Sequence, residues 1–67
     1  MGEHLVLERY YWFDSQVRAK KYPNATSLAG FFEISPKTAQ RSIDFMRDRL
    51  GAPLEYHSGK KGYAYYG

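Results

Sequence analysis

The chain has 67 residues, a net charge of +3 and no cysteine, and 43% of its residues are hydrophobic. This length fits one small domain, over residues 1–67, and the apolar content is too high for intrinsic disorder. Without cysteine there are no disulfide bonds, thiolate catalysis or cysteine-based zinc sites, and His4 and His57 cannot form a metal site without carboxylate partners. We expect no cofactor and no small-molecule site.

The sequence contains no recognisable targeting or membrane segment. No apolar run approaches the roughly 18 residues of a membrane span, and the N-terminus lacks the order of a signal peptide. We therefore expect a soluble protein in the cytoplasm. The excess of basic residues permits a polyanionic partner without requiring one.

The first predicted element is a helix over about residues 3–21, a segment without Gly or Pro. Tyr22-Pro23-Asn24 ends it, because the residue before proline is disfavoured in the α region. One apolar face repeats at helical spacing and comprises Val6, Tyr10, Phe13 and Val17.

This helix carries more apolar surface than one face can bury. The surplus residues lie along two further lines and are Leu5, Trp12 and Ala19, and Leu7 and Tyr11. Two interpretations stay open: partial burial under a C-terminal hairpin, or an exposed surface for a dimer or another partner.

Two further helices follow closely. Thr26 is a candidate N-cap for a short helix over about 27–32, in which Leu28, Ala29 and Phe32 face inward. Ser35-Pro36, a capping hydroxyl before a proline at the first helical position, begins a third helix over about 36–50. Its apolar stripe comprises Ala39, Ile43, Met46 and Leu50, and Gly51 with Pro53 ends it.

The C-terminal residues predict a β-hairpin over 54–66. Two β-prone runs, 54–57 and 63–66, are joined by the turn sequence Ser58-Gly59-Lys60-Lys61-Gly62. One face of this hairpin is expected to pack on the domain and comprises Leu54, Tyr56, Tyr63 and Tyr65. Base stacking by its tyrosines is the alternative.

A long helix, a tight helical pair and a hairpin are the elements of a winged helix-turn-helix, a mostly α-helical fold with a small hairpin wing. In that fold the second helix of the pair enters the major groove of DNA and the wing flanks it. The expected contacts on the third helix are Ser35, Lys37, Thr38, Gln40 and Arg41, and those on the wing are Lys60 and Lys61. Each could equally be an ordinary solvated residue.

Other functions have less support. No phosphate-binding loop, nucleophile motif or metal-binding pair occurs, and Asp44 and Asp48 are expected to form salt bridges with Arg41 and Arg47, so we expect no enzyme. A protein-interaction module that docks through the first helix is the main alternative, and binding of structured RNA is another.

From about Arg9 to Tyr66 the chain resembles the N-terminal winged-helix domain of bacterial transcriptional regulators that carry a C-terminal WYL domain, with DeoR-like helix-turn-helix modules. The most specific pieces are Ser35-x-x-Thr38-x-Gln40-Arg41, Phe45-x-Arg47-Asp48-x-Leu50, Ala52-Pro53-Leu54-x-Tyr56 and Lys61-Gly62-Tyr63. The resemblance implies duplex DNA binding by the third helix and the wing.

The chain departs from this family pattern at three points. Ala39 stands where a larger branched residue is usual, and Ser42 where an acidic residue commonly follows the arginine. The third departure is length, because such regulators normally continue into a ligand-sensing WYL domain. The chain is therefore expected to be either an excised domain or a stand-alone DNA-binding unit, with a homodimer as a further possibility.

Overall fold

The computed structural model describes the backbone of residues 2–66 and the side chains of residues 6–66. Three helices, α1 (Gly2–Arg18), α2 (Ala25–Phe32) and α3 (Pro36–Asp48), precede two antiparallel strands, β1 (Leu54–His57) and β2 (Gly62–Tyr65). Leu54 pairs with Tyr65, and His57 pairs with Gly62. The predicted mostly helical, winged-helix layout is confirmed. No helix in residues 2–66 has the length and apolarity to cross a bilayer.

All three helices contribute to one core. Phe13 of α1, Leu28 of α2 and Ile43 of α3 are fully buried, and Leu54 and Tyr63 of the hairpin pack beside them. The Phe13 and Tyr63 rings meet edge to face, with the ring centroids 5.9 Å apart. The hairpin therefore completes the core and is not an appendage.

The first helix ends three residues earlier than predicted, at Arg18. Lys20 adopts a left-handed conformation with φ 61°, and its N–H donates to the carbonyl of Val17 at 3.0 Å. The N–H of Lys21 donates to the carbonyl of Gln16 at 3.1 Å. These two bonds form a Schellman motif, which satisfies the last carbonyls of the helix and turns the chain before Pro23.

The second helix begins earlier than predicted, and Thr26 is not its cap. The N-cap is Asn24, whose Oδ1 accepts from the N–H of Ser27 while Ser27 Oγ accepts from the N–H of Asn24, both at 2.8 Å. This reciprocal capping box satisfies two N–H groups, whereas a cap at Thr26 would leave both without partners.

The third helix starts as predicted: Ser35 Oγ accepts from the N–H of Thr38 at 3.1 Å, and Pro36 follows. Its predicted end at Leu50 was wrong, because α3 stops at Asp48 and Leu50 is 58% exposed. Leu50 lies beyond the last helical residue, and Gly51 follows it in a left-handed conformation with φ 73°. Ser42 is the further buried residue of the stripe.

The hairpin is confirmed, although its second strand begins at Gly62, one residue earlier than predicted. Leu54 and Tyr63 are buried as expected, but Tyr56 is mostly exposed and only meets the edge of the Tyr63 ring. Tyr56 lies one residue before the end of β1, next to the turn.

Candidate nucleic-acid interface

The N-terminal end of α3 is exposed, and its hydroxyl groups mostly serve the helix cap. Ser35 Oγ accepts the Thr38 N–H and donates to Thr38 Oγ1 at 3.0 Å. The Ser35 hydroxyl proton is thus engaged within the cap. Thr38, which receives this proton, keeps its own hydroxyl proton for another acceptor.

Lys37 and Arg41 project from the first two turns of α3, on the side opposite the buried stripe. Both are exposed, and neither forms an ion pair with any residue that the structure describes. These side chains lie one turn apart on one face, so they present two positive charges at the end of the helix where a recognition helix contacts bases.

Both acidic residues of α3 form an ion pair with the same arginine. Arg47 lies 3.3 Å from Asp44 and 3.0 Å from Asp48. Its hydrogen bond to Asp48 lowers the pKa of that carboxyl group and raises the pKa of Arg47. The predicted pairing with Arg47 is confirmed, whereas the predicted pair between Arg41 and the acidic residues was wrong, because Asp44 turns towards Arg47 and Gln40.

Gln40 lies half-buried at the junction of α3 and the wing. Its Nε2 donates to Asp44 Oδ1 at 3.0 Å and to the Tyr63 hydroxyl at 3.4 Å. Gln40, Tyr56 and Tyr63 also line an open cavity of about 390 Å³ beside the N-terminus of α2. The amide group is therefore already engaged within the protein, and a contact with a base would require these bonds to rearrange.

The wing tip is held against the turn between α1 and α2. Asn24 Nδ2 donates to the carbonyl of Lys61 at 2.7 Å, and the N–H of Tyr63 donates to the carbonyl of Pro23 at 2.8 Å. Lys60 Nζ lies 5.6 Å from the centre of the Tyr22 ring. Both wing lysines are exposed, and the backbone that carries them is fixed to the helical body.

The strand β2 is also tied to α1 through Tyr65, whose hydroxyl donates to Asp14 Oδ1. Arg18 pairs with the other Asp14 oxygen at 2.9 Å and lies over the Tyr65 ring. Burial, and then the bond to Asp14, raise the pKa of Tyr65 to about 12. This contact fixes the end of the wing that is remote from its tip.

We expect the substitution Tyr65→Phe to lower the free energy of unfolding by about 1 kcal/mol near neutral pH, because it removes one hydrogen bond. The raised pKa means that the folded state favours the protonated hydroxyl. This stabilisation is complete below pH 10 and is lost as the pH rises towards 12. Urea unfolding followed by circular dichroism from neutral to alkaline pH should therefore show a flatter alkaline decline in Tyr65→Phe than in the wild type.

The matched control for this substitution is Tyr66→Phe, because Tyr66 is exposed and adjacent in the chain. It should keep the wild-type stability and the wild-type alkaline decline. An unchanged pH profile in Tyr65→Phe would contradict the role given to the Asp14 contact.

The surplus apolar surface of α1 is divided between two environments. Trp12 stacks on Phe31 of α2 with ring centroids 4.6 Å apart, so it is covered by α2 and not by the hairpin. Leu7 and Tyr11 stay exposed, Tyr11 at 72%. Ala19 is also exposed, and the side chain of Leu5 lies outside the described residues.

Sequence reasoning missed Asn24 and Gly62, which attach the wing to the helices. The pair Asn24 and Ser27, three residues apart after a proline, was an available signal for the cap. The contact of Gly62 with Tyr22 had no local signal, because these residues are distant in sequence.

Comparison of the chain with protein-family models, with curated proteins and with solved structures finds no match.

Proposed function

We propose that this domain binds double-stranded DNA in a sequence-specific manner, as the DNA-binding domain of a bacterial transcriptional regulator in the cytoplasm. In this proposal α3 lies in the major groove and the wing contacts the sugar–phosphate backbone. The observation that carries it is the exposed pair Lys37 and Arg41, without ion pairs among the described residues, beside a hairpin with two exposed lysines. The resemblance to WYL-domain regulators supports the same function, with a second copy or a WYL domain as further partners.

In this proposal the two groups of basic residues have different roles. Arg41 can donate two parallel hydrogen bonds to a guanine edge, which is the commonest specific contact in the major groove. The wing lysines are point charges suited to phosphates, which position a protein without reading sequence. Gln40 would hold the recognition helix and the wing in register through Tyr63.

A titration of the ¹⁵N-labelled domain with a short random-sequence duplex, at about 50 and about 200 mM salt, tests the proposal. Amide shifts should cluster on residues 35–41 and 58–62 and should weaken steeply at the higher salt concentration. No shift at the lower salt concentration, from a folded domain, would exclude DNA as the partner.

The second candidate function is docking onto another protein through α1. The exposure of Leu7 and Tyr11 favours it, because large apolar side chains on one helix face are typical of interaction surfaces. Such binding should respond little to salt, so the same titration carried out with a candidate protein partner separates the two functions.

Arg41→Ala is expected to weaken binding to a preferred DNA sequence by about 1–3 kcal/mol and to leave random-sequence binding much less affected. Fluorescence anisotropy with a selected site and a random duplex measures both quantities. Arg49→Ala removes the same charge beyond the C-terminal end of α3 and is the control, with little expected change in the preference. Equal affinity of wild type and Arg41→Ala for the selected site would refute the assignment of α3 as the recognition helix.

Lys60→Ala is expected to weaken binding to all sequences alike. Without the Lys60 charge, the slope of log binding constant against log salt concentration should be less steep by about one unit, since one phosphate contact disappears. The measurement is an anisotropy titration at several salt concentrations with two unrelated duplexes. A change in the ratio of the two affinities would contradict a contact with phosphate.

A further inference from the structure

Four lysines lie outside the recognition helix and form a group at the tip of the wing. We define the lysine rim as Lys20 and Lys21, in the turn between α1 and α2, with Lys60 and Lys61 of the wing. All four are exposed, and none forms an ion pair with a residue that the structure describes. Of these four, only the two wing lysines are predicted from the sequence to contact DNA.

Tyr22 brings the two halves of the lysine rim together. The ring of Tyr22 lies below Lys60 Nζ, and Tyr22 and Lys20 line one cavity of about 410 Å³ with His57. Gly62, which follows Lys61, packs against the backbone carbonyl of Tyr22. The turn and the wing tip are thus neighbours on one surface, although about 40 residues separate them in the sequence.

Two carboxylates lie near this surface. Asp14 pairs with Arg18 at 2.9 Å, and Glu55 lies 3.8 Å from His57, a contact that is an ion pair only when His57 is protonated. Neither carboxylate forms an ion pair with a lysine of the rim. The rim therefore presents four positive charges on two adjoining segments, which favours a polyanionic partner.

Two lysines of the rim occupy backbone positions that favour glycine. Lys20 has φ 61° and closes the Schellman motif of α1, and Lys61 has φ 55° at the end of the hairpin turn. Glycine is the preferred residue at both kinds of position, because a Cβ atom is strained in the left-handed region. Lysine at both positions lowers stability, as do Tyr22 and Glu33 at φ 52° and 56°.

We propose that the lysine rim binds the phosphates of the DNA backbone, so that the turn between α1 and α2 contacts DNA together with the wing. The inference rests on the proposed DNA binding and extends its surface beyond α3 and the hairpin. The lysines are kept at left-handed positions because binding requires their charge, at a cost in stability. Replacement by glycine should therefore raise stability and weaken binding at once.

The double variant Lys20→Gly/Lys61→Gly tests whether stability rises while DNA binding weakens. Its melting temperature, followed by circular dichroism, should rise by roughly 2–8 °C, as expected for relief of strain in a domain of this size. Anisotropy with a random-sequence duplex should show a slope of log binding constant against log salt concentration that is less steep by about 1.8, and roughly 60-fold weaker binding at about 100 mM salt.

Two further variants complete the experiment. Glu33→Gly relieves the same strain, because Glu33 follows α2 with φ 56°, but it removes no positive charge. It should raise the melting temperature without weakening DNA binding. Lys20→Asn/Lys61→Asn removes the charges with a residue that tolerates the left-handed region, and should weaken binding with a smaller gain in stability than the glycine variant.

The outcomes separate the inference from the proposed function. If the wild type binds the duplex and both double variants keep its salt slope, the rim is not a phosphate site while DNA binding stands. A lower melting temperature of the glycine variant would overturn the assignment of strain at these lysines. If the wild type does not bind duplex DNA at any salt concentration, the proposed function itself fails.

Discussion

Gly62→Ala should destabilise the domain by about 3 kcal/mol, since the substitution overpacks a site bounded by backbone. A Cβ atom at Gly62 would overlap the carbonyl carbon and oxygen of Tyr22 and lie 2.8 Å from the Tyr22 Cβ. None of these atoms is the flexible end of a side chain, so the wing must move away from the turn. The neighbouring hydrogen bond from the N–H of Tyr63 to the Pro23 carbonyl, 2.8 Å long, would then be lost as well.

Urea unfolding measures this loss, and Gly59→Ala is the matched control in the same hairpin. No atom lies within 4 Å of the Cβ position at Gly59, so its stability should stay within about 0.5 kcal/mol of the wild type. Equal midpoints for the two variants would contradict the close contact between the wing and Tyr22. Because the wing carries half of the lysine rim, Gly62→Ala should also weaken DNA binding.

Phe13→Ala is expected to lower the free energy of unfolding by about 3–5 kcal/mol, the range for removing a fully buried aromatic side chain. Phe13 is completely buried in α1, where it meets helices α2 and α3 and the edge of Tyr63. Domains of this size rarely have more than about 3–5 kcal/mol of stability, so most of the variant should be unfolded at room temperature. Loss of helical circular dichroism without denaturant would report this directly.

Phe31→Ala is the control for the loss of a phenyl ring. Phe31 is 61% exposed and stacks on Trp12 at the surface, so its removal should cost about 1 kcal/mol. A folded Phe13→Ala variant with a cost as small as that of Phe31→Ala would show that the core is not centred on Phe13.

Some failures of the sequence analysis share one cause. The predicted end of α3 assumed that apolar periodicity continues until Gly51, but the helix unwinds at Asp48 and exposes Leu50. Periodicity describes where a side chain would point if the helix continued, and it carries no information about where the last hydrogen bond forms. The sequence analysis left Trp12 either under the hairpin or on an exposed surface, whereas in the structure it stacks on Phe31 of α2.

The sequence by itself determined the elements and the start of α3. Caps, prolines and apolar spacing act over a few residues, so Ser35-Pro36 and the faces of Phe13 and Ile43 could be recognised locally. Only the tertiary structure decided how Gly62 meets Tyr22, where the Gln40 amide points, and that Lys20 and Lys61 adopt left-handed conformations on one surface. These features depend on contacts between segments far apart in the chain, and no local preference specifies which distant residues will meet.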